Sequence, residues 1–205
     1  MEQDKKHHVK TISTGLSPAA QQRLQRFKTE YKQSLRDDIE AIALAVVVWG
    51  PGVDVESPAA QKRWDIKEAL AEKGHAPVFS EELDDEEDLQ DLIETGEGLL
   101  LKALHQAKNA DFLILLLDDR AMGVITELSI CTRRDIAAKT FVMVPESFQK
   151  DFTYTAAITM IQGGNGAIQF YTYTDLERCY VLTAAVKRVE ARRRLFAWQR
   201  SGAIV

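Results

Sequence analysis

The chain has 205 residues, 45% hydrophobic and 28% charged, the balance of a globular protein with one good core. Its formal charge of -5 speaks against broad electrostatic binding to DNA, RNA or an anionic membrane, because phosphates reward clustered Lys and Arg. The two cysteines, Cys131 and Cys179, lack the spacing of a zinc site or a secreted disulfide scaffold and read as reduced core residues.

The first residues, 1–14, are polar and read as an unstructured tail. His7-His8 within it has no further ligands at metal-binding spacing, so no metal site is expected. With no apolar signal core and no run of roughly 20 apolar residues, a cytoplasmic location with no membrane contact follows. Residues 15–43 predict a long amphipathic helix. Ser17 and Pro18 form a cap and first-turn pair, and Leu24, Phe27, Tyr31, Leu35, Ile39 and Ile42 recur every three or four residues. This apolar stripe must cover either the following domain or a second subunit.

Residues 44–205 alternate strand and helix patterns. Leu44 to Trp49 is a short β-branched run ending at Gly50-Pro51-Gly52, as a buried parallel strand meets a loop. Pro58 to Lys73 reads as a helix stopped by Gly74, followed by a strand from His75 to Phe79. The acidic run Ser80 to Asp88 reads as a solvated loop. A helix from Gly98 to Ala107 presents Leu100, Ala103, Leu104 and Ala107 on one face, and Asp111 to Leu117 is a strand apolar on both faces. Val124 to Ala138 has helical spacing, Thr140 to Val144 is a fourth strand, and Phe148 to Ile161 a further helix. A turn at 163–166 precedes a fifth strand, Ala167 to Tyr171, and a last helix runs from Thr174 towards Ala197. Arg192-Arg193-Arg194 reads as basic charge near a helix C-terminus, favoured by the macrodipole. Together these predict an α/β fold: a flavodoxin-like three-layer parallel sheet of about five strands with right-handed crossovers, plus an extra N-terminal helix.

In such a sheet, ligands bind beyond the carboxyl ends of the strands, where neighbouring connections leave towards opposite faces. The candidate loops are Trp49 to Val53, Ser80 to Leu83, Asp118 to Gly123 and Pro145 onward. Gly50 and Gly52 would let a ligand approach the backbone and Pro51 would stiffen the turn, but the chain has neither GxGxxG nor a Walker lysine pattern. The third-strand loop carries Asp118, Asp119 and Arg120, then Met122 and Gly123, and Glu127 lies on the first turn of the next helix. An acidic residue there satisfies the helix dipole by itself. It would equally present an ionised carboxylate to the crevice, the group that stabilises or traps an oxocarbenium-like sugar centre.

These residues resemble nucleoside 2-deoxyribosyltransferases and the related TIR-like proteins of phage defence. The resemblance rests on the first strand ending in Gly50-Pro51, the helix leading to Gly74, Ala107 to Asp111 entering the third strand, Leu117-Asp118, and Gly123 to Ser129 with Glu127, and it spans roughly Leu44 to Val144. It implies an N-glycosidase in which Glu127 is the catalytic carboxylate, Asp118 or Asp119 meets the sugar hydroxyls, and Trp49 or Phe79 stacks on the base. NAD or another nucleotide would be the substrate, with no separate cofactor. The chain departs from the deoxyribosyltransferase pattern where Trp49 replaces a tyrosine, and Asn165 only echoes the C-terminal asparagine motif. TIR-like cleavage of NAD is therefore the first expectation. Base exchange or nucleotide hydrolysis is the second, and a non-catalytic nucleotide sensor the third. The N-terminal helix suits a homo-oligomer or an effector with a protein partner.

Overall fold

The computed structural model describes residues 16–54, 56–83, 98–118 and 124–200. The tail with His7-His8, most of the acidic run, and Asp119, Arg120, Met122 and Gly123 lie outside these residues. The chain divides into two compact units, 1–41 and 42–205. The first contributes one described helix, α1 (Pro18–Glu40). Pro18 starts it, and the Ser17 hydroxyl accepts a hydrogen bond from the Ala20 N–H at 3.3 Å, which satisfies one of the helix's orphan donors.

The second unit is an α/β domain. Its strands are β1 (Ala45–Trp49), β2 (Ala76–Phe79), β3 (Phe112–Leu116), β4 (Thr140–Pro145) and β5 (Ala167–Tyr171), all parallel, in the order β2-β1-β3-β4-β5. The helices are α2 (Pro58–Glu72), α3 (Gly98–Asn109), α4 (Val124–Cys131), α5 (Arg134–Ala137), α6 (Phe152–Gly163), α7 (Tyr173–Glu177) and α8 (Tyr180–Arg200). This is the flavodoxin-like three-layer arrangement that the alternating pattern implies. Strand β3 is buried along its whole length, as its unbroken apolar run requires of a central strand covered on both faces.

Side-chain alternation divides the core between two layers. Val47, Trp49, Leu113, Leu115, Val142 and Val144 pack with Ala103, Ala107, Leu128, Ile158 and Ile161 of α3, α4 and α6. The alternate positions on β1, β3 and β4 face α2 and α8, which also pack on each other. Because the crossover through α2 and the crossover through α3 leave on opposite faces, the switch point lies between the carboxyl ends of β1 and β3.

Several elements differ from the sequence expectation for physical reasons. The predicted helix over 124–138 breaks at Thr132-Arg133. There the Ser129 and Thr132 hydroxyls donate to the carbonyls of Thr126 and Ser129 at 2.7 and 2.6 Å, a local alternative to continued helix. The last helix is likewise two: Thr172 and Asp175 form a capping box for α7, and Arg178-Cys179 separate it from α8. That break leaves Cys179 exposed, not in the core, whereas Cys131 is buried as expected. Arg193 is not a solvated dipole charge. It is 5% exposed and donates to the Lys73 carbonyl at 3.0 Å, satisfying an orphan acceptor at the end of α2. On α3 the buried face is Gly98, Lys102, Ala103, Gln106 and Ala107, while Leu100 is exposed.

Candidate functional site

The carboxyl ends of β1 and β2 are held by one buried cation. Arg63 lies on the inward face of α2 with Ala59, Ala60, Ile66 and Leu70, and its side chain is fully buried. Its Nη2 donates to the Val48 carbonyl at 2.8 Å, and its Nη1 donates to the carbonyls of Gly50, at 3.3 Å, and Pro51. The same two nitrogens form a bidentate pair with Glu81, at 2.9 and 3.0 Å, and the guanidinium carbon stands 4.7 Å from the centre of the Phe79 ring. Burial works against the Glu81 carboxylate, but the Arg63 hydrogen bonds and charge outweigh it and hold its pKa below the ordinary value. Glu81 is thus an ion-pair partner, not part of a freely solvated loop.

A second junction ties the same strand ends to α3. Gln106, buried, accepts from the Trp49 indole N–H at 3.1 Å and from the Ser80 hydroxyl at 3.0 Å, and donates to the Ser80 carbonyl at 3.1 Å. Trp49 is 0% and Phe79 1% exposed. As packed, neither ring offers a face for a base to stack on.

The turn after β1 also serves the protein's own packing. Gly50 has φ +154°, and a Cβ there would lie 2.8 Å from the Leu116 carbonyl oxygen and 2.9 Å from Arg63 Cδ. The close approach expected of a ligand at this glycine is occupied by β3 and Arg63. Pro51 is buried, Gly52 is exposed, and Asp118, the second residue after β3, is half-buried.

Glu127 stands on the first turn of α4, the helix that follows β3 at the switch point. Its Oε2 is shut off from solvent and has no hydrogen-bond partner, although the residue as a whole is not fully buried. Burial raises its pKa to about 8. Arg63 and Lys102 pull the value down and Glu81 pushes it up. The carboxyl is therefore mostly neutral at pH 7, a correction to the ionised group expected from helix position. Lys102, on α3, is itself depressed by burial, an effect opposed by Glu81 and Glu127. Arg63 connects the parts: it binds the Gly50 turn directly and acts on Glu127 through its charge.

Beside this charged group, Lys102 and Gln106 also line a cavity of about 320 Å³. Its floor is Ala45, Val47, Ala76 and Val78, and His105 and Asn109 complete its polar wall. Among the described residues no cluster of His, Cys, Asp and Glu could hold a metal ion.

No family model, curated protein or solved structure matches this chain.

Arg63, Lys102 and Gln106 are absent from the sequence-derived site, and Glu81 enters it only as a member of the candidate loop Ser80 to Leu83. A signal for three of them was present: Arg63 recurs with Ala59, Ile66 and Leu70, and Lys102 and Gln106 are four apart beside Ala103 and Ala107, so each is a polar residue on an inward helical face. Glu81 carried no such mark, because an acid in an acidic run looks solvated.

Proposed function

We propose that this chain cleaves the N-glycosidic bond of a nucleotide, with NAD the first candidate and Glu127 the catalytic carboxyl. The observation that carries the reading is the Glu127 carboxyl itself, with one oxygen buried and unpartnered at the switch point and a pKa raised to about 8. Burying such a group without a partner costs stability, which is the pattern of a group kept for chemistry.

The chemistry follows from charge. A neutral carboxyl ionises readily once a cation stands beside it, because the added charge lowers its pKa. The ribosyl nicotinamide of NAD brings a positive ring, and the reaction passes that charge to the sugar. The C1′–N bond breaks with both electrons going to the ring nitrogen, and the base leaves neutral. Water adds its oxygen to C1′, and its proton passes to the carboxylate or to solvent. A Glu127 carboxylate facing C1′ stabilises the oxocarbenium-like centre throughout.

The raised pKa also favours a second reading. A protonated Glu127 could donate its proton to a neutral leaving base, as hydrolysis or base exchange on an ordinary nucleoside or nucleotide requires. The two readings differ in pH profile: kcat/KM for NAD, which reports the free protein, rises as pH climbs through about 8 and then levels off, whereas the proton-donor reaction loses kcat/KM over the same range.

The test is mass spectrometry of a mixture of NAD, nucleosides and nucleotides before and after exposure to the wild-type chain and to Glu127→Gln. Free nicotinamide or free base with the wild type alone supports the reading. Ligand binding without cleavage by either protein would mark a nucleotide sensor and overturn it.

A further inference from the structure

We infer that a groove between α8 and the β4–β5 side of the sheet binds a small nucleoside phosphate, with Lys187 and Arg188 taking the phosphate and Tyr180 the base. The inference is independent of the chemistry at Glu127. The groove has a volume of about 380 Å³, and its lining runs from Phe141 to Ala191, so it lies wholly within the second unit. Phe141 and Gln169 enter it from the sheet face that α8 covers, opposite the layer to which α4 and Glu127 belong.

The positive charge in this groove has no structural duty. In a chain of net charge -5, α8 carries Lys187, Arg188, Arg192, Arg193, Arg194 and Arg200 against one acid, Glu190. Arg193 donates to the Lys73 carbonyl and pairs with Glu190, and Arg192 stands 5.1 Å from the centre of the Phe196 ring and is drawn to Asp111. Among the described residues Lys187 and Arg188 have no carboxylate within ion-pair distance. Both sit mid-helix, outside the last turn where the dipole favours a base. No carboxylate lines the groove, and the Arg188 guanidinium carbon stands 5.6 Å from the centre of the buried Phe141 ring, which holds the cation over the groove floor. An ammonium and a guanidinium side by side, with no acid to neutralise them, match a phosphate dianion.

The rest of the lining suits what carries the phosphate. Gln169 Nε2 donates to the Phe170 carbonyl at 3.1 Å and to the Tyr180 hydroxyl at 3.0 Å, so both amide protons are used and its carbonyl oxygen is left as an acceptor for a sugar hydroxyl or a base N–H. The same bond fixes the Tyr180 ring, 48% exposed, as a stacking surface at the groove. The volume suits one nucleotide, and the net negative charge of the chain opposes a long polyanion while two local cations answer a single phosphate.

Equilibrium dialysis of the 205-residue chain against AMP, GMP, CMP and UMP tests this. At least one is expected to bind with a Kd of about 100 µM or tighter, and its nucleoside and inorganic phosphate each about tenfold or more weakly. Lys187→Gln with Arg188→Gln should weaken binding about tenfold or more and Tyr180→Leu about threefold or more, with melting temperatures near that of the wild type because all three side chains are exposed. Glu127→Gln should bind as the wild type does, which separates this groove from the proposed catalytic carboxyl. No mononucleotide binding tighter than about 1 mM would overturn the inference, as would binding indifferent to the double substitution. Inorganic phosphate bound as tightly as the mononucleotide would remove the role of Tyr180 and overturn it too, and so would an oligonucleotide that binds more tightly than every mononucleotide and needs Lys187 and Arg188.

Discussion

Arg63 and Glu81 form a two-pronged ion pair, 2.9 and 3.0 Å, in which the cation is wholly buried and the anion only partly so. The pair joins α2 to the turn after β2, while the remaining donor capacity of Arg63 fixes the carbonyls that close β1. One side chain therefore fixes the carboxyl end of β1 against the turn after β2, beside the Gln106 junction.

Replacing Arg63 should be costly out of proportion to one ion pair. Arg63→Met leaves the Val48, Gly50 and Pro51 carbonyls without their donor, and should destabilise the chain by about 3 kcal/mol. Arg63→Lys should not rescue it, because an ammonium cannot reproduce the planar fork. Urea unfolding gives the measurement, and a loss below about 1 kcal/mol in both variants would mean the arginine does not organise the turn.

Gly50 and Gly74 should respond differently to alanine. Gly50→Ala meets the Leu116 carbonyl oxygen at 2.8 Å as well as an unfavourable φ, and should cost about 2–4 kcal/mol. Gly74, with φ +78° at the end of α2 and nothing within 4 Å of a new Cβ, should cost only about 1 kcal/mol. Thermal unfolding of the two variants side by side checks the order.

The buried Glu127 gives stability a distinctive pH dependence. Its folded pKa of about 8 lies above the ordinary 4.5, so between these values the folded state holds a proton that the unfolded state has released. Stability from this group is complete below about pH 4.5 and falls as pH rises to 8, by up to about 1.4 kcal/mol per pH unit, then levels off. Glu127→Gln removes the term. The variant should therefore gain stability relative to wild type as pH rises from 5 to 8, and parallel curves would show that the carboxyl is not held neutral.

His75 should act in the opposite sense. Burial depresses its pKa although the Glu190 hydrogen bond opposes this, so it is neutral, accepting from the Leu44 N–H at 3.3 Å and donating to Glu190 at 3.0 Å. Its contribution is intact above the ordinary value of 6.5 and is lost as pH falls through the lower folded value. His75→Gln should be less stable at pH 7.5 but lose less on acidification to pH 5.5, as measured by melting temperature.

The strand-helix alternation was legible because each parallel strand is a short apolar run bounded by Gly, Pro or a charge, and Ser17-Pro18 and Ser57-Pro58 mark true helix starts. Glu127 was legible as a position, since a glutamate opening the helix after the central strand lies at the switch point in any sheet of this order. Its protonation was not, because that depends on what surrounds it in space. The same limit hid the role of Glu81, whose partner Arg63 is 18 residues away, and of Gly50, whose neighbour is the Leu116 carbonyl of another strand. The breaks at Thr132 and Cys179 were missed because apolar spacing continues across them while local hydroxyls and caps end the helices.

The most direct measurement is the rate at which the purified 205-residue chain releases nicotinamide from NAD at pH 8.5, for wild type and Glu127→Gln in parallel. The account predicts measurable release by the wild type and a loss on the order of 10³-fold or more in the variant, with folding intact. Equal rates in the two proteins would contradict the role of Glu127.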